Sequence, residues 1–267
     1  MALPQISQTI SATVIALNEE RDLPRCLDSL RFCDEIIVID SGSTDATVEL
    51  ARKNGARVVV EPWRGYGAQK NFAQAQATGS WILNVDADEV ITPELREEIL
   101  AEVRSSKPAS GYAVARKTFY MGRWIRHGGW YPNYVTRLVR KGQGAWTEPN
   151  VHEELRINGE CRELANPMLH YTFSDIADQV GTNVRYARQG ALDLKSRGAP
   201  PSYFRLMAKP FGKFFETYFL KAGFLDGLPG FIISVNAAHS MFLKYAYLLE
   251  MSRKQVTAPN ENTDSRQ

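Results

Sequence analysis

Two carboxylates, Asp86 and Asp88, close the stretch Trp81-Ile-Leu-Asn-Val-Asp-Ala-Asp-Glu89. Four of the five residues before Asp86 are apolar or β-branched, Asn84 being the exception, and Gly79-Ser80 bounds the run on its other side. Such a run is expected to form a buried strand. Alternation along it would put Asp86 and Asp88 on the same side of the chain. Two acids so placed repel each other unless something positive lies between them. A hard divalent cation that also holds a substrate phosphate, Mg2+ or Mn2+, answers that need. The competing reading makes both side chains plain caps for the helix that follows.

Two earlier loops carry acceptors in the same way. The run Ile36-Ile-Val-Ile-Asp40 ends in Ser41-Gly-Ser-Thr-Asp45, a turn with a helix start beside it. Asp40 there can accept from a base imide N–H or a ribose hydroxyl, and the turn offers backbone N–H groups. The first β-rich run, residues 10–17, leads into Asn18-Glu19-Glu20. Singly, Asn18 and Asp40 read as capping residues. With Asp86, polar acceptors stand at the ends of three strands, where open α/β sheets bind their ligands.

The elements around these loops alternate. Leu23, Leu27 and Leu30 have helical spacing, residues 35–40 and 57–61 read as strands, and an alanine- and glutamine-rich helix covers residues 67–77. Thr92-Pro93 opens a further helix, with Thr92 as N-cap and Pro93 in its first position. This β-α-β-α order predicts an α/β, Rossmann-like, mostly parallel sheet with helices on both faces. After Gly111 the texture changes to aromatics, glycines and short strand-like runs, among them residues 135–140 and 152–157. From Ser174 the chain reads as helical. The division expected is a catalytic domain over 1–170, a basic helical region over 171–254 and a polar, disordered tail over 255–267.

A net charge of +2 argues against a general nucleic-acid binder. The cysteines, Cys26, Cys33 and Cys161, are odd in number and lack metal or disulfide spacing, which suggests a reducing compartment. Met1-Ala-Leu-Pro-Gln5 has no basic start followed by an apolar run, so no signal peptide is expected.

Three motifs in order, Val14-Ile-Ala-Leu-Asn-Glu-Glu20, Ile36-Ile-Val-Ile-Asp-Ser-Gly-Ser-Thr-Asp-Ala-Thr47 and Asn84-Val-Asp-Ala-Asp-Glu89, resemble the family 2 glycosyltransferases over residues 10–155. One departure is Ser41, where many members carry a second Asp. The resemblance implies a GT-A fold, a nucleotide-sugar donor (commonly a UDP-sugar) and inversion at the anomeric carbon. It makes Asp88 the metal ligand and places Asn18, Glu20, Asp40 and Asp86 at the donor. Lys70 and Arg137 either neutralise donor phosphates or are solvated surface charge. Members place the general base on a downstream carboxylate, here Glu148, Glu153 or Glu154.

Four shorter segments, Gly128-Gly-Trp-Tyr-Pro132, Arg137-Leu-Val-Arg140, Val151-His-Glu153 and Gly223-Phe-Leu-Asp-Gly227, are similar to bacterial lipopolysaccharide-core glucosyltransferases. That narrower resemblance favours Glu153 as base, and implies glucose as the sugar and a lipid-linked saccharide as acceptor. His152 would support the site or bind metal. Trp130 and Tyr131 offer flat faces suited either to a sugar ring or to core packing.

A helical projection of residues 202–221 sets Tyr203, Met207, Phe211, Phe214, Phe215 and Tyr218 on one face, opposite Arg205, Lys209, Lys213 and Glu216. Pro210 is expected to kink or break this helix. Residues 181–225 hold eight basic side chains against two acidic ones. That excess suits an anionic membrane surface, hence a peripheral location on the inner face of the cell membrane. Residues 228–249, interrupted by Asn236, His239 and Lys244, read as a buried or interfacial helix. Two other classes stay open: a haloacid-dehalogenase-type phosphatase using Asp86-Ala-Asp-Glu-Val90, and a non-catalytic nucleotide-sugar-binding protein.

Overall fold

In the computed structural model, which describes residues 8–148 and 153–256, the first half alternates as its patterning requires. The order is β1 (Ile10–Ala16), α1 (Leu23–Ser29), β2 (Glu35–Asp40), α2 (Thr47–Lys53), β3 (Arg57–Val60), α3 (Tyr66–Gln76), β4 (Trp81–Asp86), β5 (Glu89–Val90) and α4 (Pro93–Val103). β1 lies between β2 and β4, parallel to both, with Val14 opposite Val38 on one side and Val85 on the other. A strand flanked and covered in this way must be buried nearly throughout, as β1 is, with its Ser11 and Thr13 hydroxyls bonded to Glu35 and Asn84. Thr92 caps α4 by accepting from the Leu95 N–H at 3.1 Å, with Pro93 behind it.

Two apolar clusters show the layering. Leu23 and Leu27 of α1, Ala51 of α2 and Leu95 and Ile99 of α4 pack with Val14, Val38 and Val85. Ala73 and Ala77 pack with Ile37, Ile39 and Ile82, the residues that alternate with them along the strands. Helices therefore cover both faces. Asn84, the polar break in β4, is a buried node: its Oδ1 accepts from Thr13 and from the Trp146 indole, both at 3.2 Å, and its amide donates to the Arg137 carbonyl.

The second half departs from the expectation of a mostly parallel sheet. It supplies β6 (Gly111–Tyr120), β7 (Arg123–Trp124), β8 (Tyr134–Arg140), β9 (Gly144–Trp146), β10 (Leu155–Ile157), β11 (Cys161–Glu163) and β12 (Met168–His170). The main path runs β3-β2-β1-β4-β8-β6-β12-β5, with β8 antiparallel to both β4 and β6. The sheet is mixed: with no helical crossovers among the later strands, β8 enters antiparallel to both neighbours, while β11 and β12, reached over longer stretches of chain, run parallel to β6. Of the strand expected over 152–157, only β10 forms among the described residues.

Glu35, at the start of β2, pins the parallel edge. Its carboxylate accepts from Ser11 Oγ (2.7 Å), from the Thr78 backbone and hydroxyl, and from Arg57. Burial would raise its pKa, but these four donors hold it down to about 2. A depressed carboxylate stabilises the fold above its ordinary value of 4.5, and loses that contribution as pH falls toward 2. Glu35→Gln should therefore lower the melting temperature at pH 7, with the deficit shrinking steadily below pH 4.5. An equal deficit at both ends of a pH series would refute the charge argument.

The chain divides into two compact units, one taking residues up to Arg126 with Trp130–Thr172, the other His127–Gly129 with everything from Phe173. The second unit holds α5 (Ile176–Ser196), α6 (Tyr203–Phe215), a π turn (Glu216–Leu220), a 3-10 turn (Gly223–Asp226) and α7 (Gly227–Val256). α7 includes Gln255 and Val256, expected in the tail; residues 257–267 lie outside the described residues. Pro210 does not break α6. Packing on α7, through Phe214 and Tyr218 against Phe231, holds the helix across the one hydrogen bond that proline forfeits. The irregularity falls later, where the Thr217 hydroxyl bonds back to the Lys213 and Phe214 carbonyls and the π turn forms.

Candidate active site

The carboxyl ends of β1, β2 and β4 meet in the first unit, and each loop is tied to the next. Asn18, in the left-handed region at φ 57°, donates its backbone N–H to Ser43 Oγ, and its Oδ1 accepts from the Thr44 N–H at 2.9 Å. Glu20 accepts from the Ala46 N–H at 3.0 Å. Both side chains are thus engaged in holding the loop after β2 against the loop after β1. Asp40 is 1% exposed. Its Oδ2 accepts from the backbone N–H groups of Gly42 (2.9 Å) and Ser43 (3.0 Å), while Oδ1 is buried with no partner in the structure. An unmatched buried acceptor at a strand end is suited to a ligand's N–H or hydroxyl.

Asp86 and Asp88 prove unlike. Lys70 Nζ donates to Asp86 Oδ1 at 3.0 Å, and Arg137 pairs with Oδ2. Burial alone would raise the Asp86 pKa, yet Arg137 and Lys70 hold it well below the carboxylate range. Arg137 also pairs with the fully buried Glu89, which in turn accepts from the Asp86 N–H at 3.0 Å. Lys70 and Arg137 are therefore buried, not solvated surface charge, and the positive charge beside Asp86 comes from the protein. No cation between the two carboxylates is needed to balance Asp86. Both Asp86 oxygens are thus engaged by protein cations, and the motif lies on the fourth strand.

Asp88 faces a residue the sequence reading missed. His170 Nε2 lies 3.2 Å from Asp88 Oδ2, and Thr118 Oγ1 lies 3.4 Å from Nδ1. Register brings His170 there: β12 pairs with β5, setting His170 opposite Glu89, and with β6, setting it opposite Thr118. A three-residue strand so far along the chain gives no local signal of that pairing. Close by, Glu19 is pushed up to about 7, first by burial and then by Asp88, Asp22, Asp45 and Asp86. The loop ends thus form an acidic basin with an imidazole at its edge. No group of three metal-binding side chains converges among the described residues. The donor set still fits Mg2+ or Mn2+, which bind through one or two protein ligands and take the rest from phosphate and water.

Of the three candidate bases, Glu153 alone reaches this cluster: Lys70 Nζ donates to its Oε1 at 3.2 Å, and so bridges it to Asp86. Glu148 is exposed and its carboxylate accepts from Asn71, and Glu154 is exposed, its backbone N–H donating to Thr147 Oγ1. Lys70 can reach across because α3 presses on the end of β9: Asn71 bonds the Trp146 backbone, and a Cβ on Gly67 would stand 2.0 Å from the Thr147 carbonyl oxygen. Trp130 packs on Tyr120 with centroids 5.6 Å apart, and both Trp130 and Tyr131 are half-buried. His152 lies outside the described residues.

A model of the family "Glycosyl transferase family 2" matches residues 11–157, the segment that carries all three strand-end loops. An uncharacterised glycosyltransferase of Rickettsia conorii is 33% identical over 93% of each chain. The lipopolysaccharide core biosynthesis glycosyltransferase LpsC of Rhizobium meliloti is 32% identical over 90% of this chain and 92% of its own. This chain belongs to glycosyltransferase family 2, and its first unit is the α/β, GT-A-like domain of that family. A solved Mycobacterium tuberculosis glucosyl-3-phosphoglycerate synthase, in complex with Mn2+, UDP-glucose and phosphoglyceric acid, is 32% identical over 43% of this chain and 45% of its own. Its TM-score is 0.36, too partial to inform the ligands of this chain.

Proposed function

We propose that this chain is an inverting hexosyltransferase. It moves glucose from UDP-glucose to a hydroxyl of a lipid-linked saccharide, as in the lipopolysaccharide inner core, at the inner face of the cell membrane. The observation that carries the chemistry is the bridge from Asp86 through Lys70 to Glu153, which sets a carboxylate beside the donor loops. The acceptor class rests on the similarity to LpsC and on the short motifs shared with core glucosyltransferases.

In this reading Asp40 receives the base or ribose through its unmatched Oδ1. Arg137 does not touch phosphate; it holds Asp86, and with Lys70 sets the potential at the strand end. Glu153 takes the proton from the acceptor hydroxyl as its oxygen attacks the anomeric carbon. The bond from that carbon to the diphosphate breaks on the opposite side, so the configuration inverts and UDP leaves with the electron pair. Asp88 and His170 would hold a divalent cation, whose contribution when bound is to offset the charge of the diphosphate.

Calorimetry with a panel of nucleoside diphosphate sugars, with and without Mn2+, tests the reading. UDP-glucose should bind most tightly, and Asp40→Ala should weaken it by about 1–3 kcal/mol, the cost of an unsatisfied buried partner. A wild-type chain that ignores every member of the panel while releasing phosphate from phosphomonoesters would overturn it.

A further inference from the structure

We propose that the bent helix pair of the second unit sinks an apolar edge into the acyl region of an anionic bilayer, beyond resting on headgroups through charge. The inference deepens the reading of a lipid-linked acceptor and rests on it for its purpose, though not for its test.

The aromatic face of α6 is split by the structure. Phe214 and Tyr218 pack inward on Phe231, whereas Phe204, Met207, Phe211, Phe215 and Phe219 stay exposed at three- and four-residue spacing, Phe204 by 79% and Phe211 by 73%. The stripe continues round the bend through Leu220 (72% exposed), Phe224, Leu225 and Leu228 (65%). Single exposed apolar residues are ordinary, but a run of this length marks an interaction surface.

The shape is built in. Tyr203–Leu220 and Gly223–Arg253 meet at 69°, and no single helix among the described residues is long and apolar enough to cross a membrane. A Cβ on Gly223 would lie 2.6 Å from the Thr217 carbonyl, and one on Gly230 would lie 1.9 Å from the Gly223 carbonyl. Only glycine permits so close an approach at the turn. The His127 N–H bonds Asp226 at 2.7 Å and the Gly128 N–H bonds the Lys221 carbonyl at 2.8 Å, which ties the short loop 127–129 to the same bend.

Charge selects the occupant. The basic face expected from sequence is thinner than it looked, because Glu216 engages both Lys213 and Lys221. Arg205 and Lys209 remain exposed beside the apolar stripe. Those two suit anionic headgroups, while a two-fold contact with a second copy would set them against their own kind. The bent pair is long and apolar enough together to pass for a broken span, but Arg205, Lys209 and Lys213 recur along α6 and favour a seat in the interface with the apolar edge down.

The test uses the full chain and mixed phosphatidylcholine–phosphatidylglycerol vesicles, and needs no sugar substrate. The triple variant L220S/L225S/L228S changes exposed aliphatic residues only and should melt as the parent does. It should lower vesicle partitioning by about a thousandfold at low and high salt alike, since each of the three buried apolar side chains is worth roughly tenfold. R205E/K209E should weaken binding at low salt and little at high salt. The substitution Phe219→Trp should add emission, over that of the parent's own tryptophans, that is quenched by phospholipids brominated in their acyl chains. Unchanged partitioning of the triple variant overturns the proposal, as does added emission that escapes quenching in vesicle-bound protein. So does a parent that is dimeric without vesicles and becomes monomeric on the triple substitution. UDP-glucose calorimetry on the same samples reports the glycosyltransferase reading separately, so either inference can fail alone.

Discussion

Asp88→Ala is expected to lower sugar transfer by about 10³-fold or more, the effect of losing several kcal/mol of charge stabilisation. The fold survives, because Asp88 stands in a half-buried turn and its carboxylate meets only His170 among the contacts described above. The loss should be accompanied by loss of Mn2+ binding in calorimetry. His170→Ala should weaken the metal less, since the carboxylate and the diphosphate remain. A second readout concerns pH. Glu19, raised from 4.5 to about 7 by burial and then by Asp88 and its acidic neighbours, destabilises the fold as pH rises through that window. Without Asp88 part of the repulsion disappears, so the fall in melting temperature from mildly acidic to mildly basic pH should be smaller in the variant. Undiminished turnover of Asp88→Ala in the presence of EDTA would sink the metal assignment.

Glu153→Gln is expected to lose turnover by about 10²–10⁴-fold while donor affinity holds, the range a general base typically supplies. Glutamine keeps the carbonyl oxygen that accepts from Lys70, so the bridge to Asp86 can persist. What it cannot do is take a proton. Glu148→Gln, whose parent carboxylate accepts from Asn71, and Glu154→Gln, whose parent is exposed and makes no ion pair with Lys70, should stay near the wild-type rate. If either of these fell instead and Glu153→Gln did not, the base would have to be reassigned.

Some of this site was legible because its signals are local. Asp40, Asp86 and Asp88 each follow an apolar run and precede a turn, so strand, strand end and acceptor all lie within a few residues of one another. The alternation of strands and helices before residue 110 is local in the same way: β-branched runs, helical spacing and the Thr92-Pro93 start are properties of neighbours along the chain. The order of the three loops was enough to indicate the family.

The pairings were not legible, because they are set by sheet register and not by spacing. The antiparallel run of β8 between β4 and β6 carries Arg137 to Asp86 and Glu89, and makes it a buried clamp and not solvated surface charge. The pairing of β12 with β5 and β6 brings His170 to Asp88. Nothing in the residues around Asp88 or around His170 specifies that meeting. In the helical unit, the projection found one aromatic face, but only packing on α7 decided that Phe214 and Tyr218 turn inward while Phe211 and Phe215 stay exposed. Periodicity reports which side chains share a face of a helix; which part of that face is covered depends on the element that comes to lie against it.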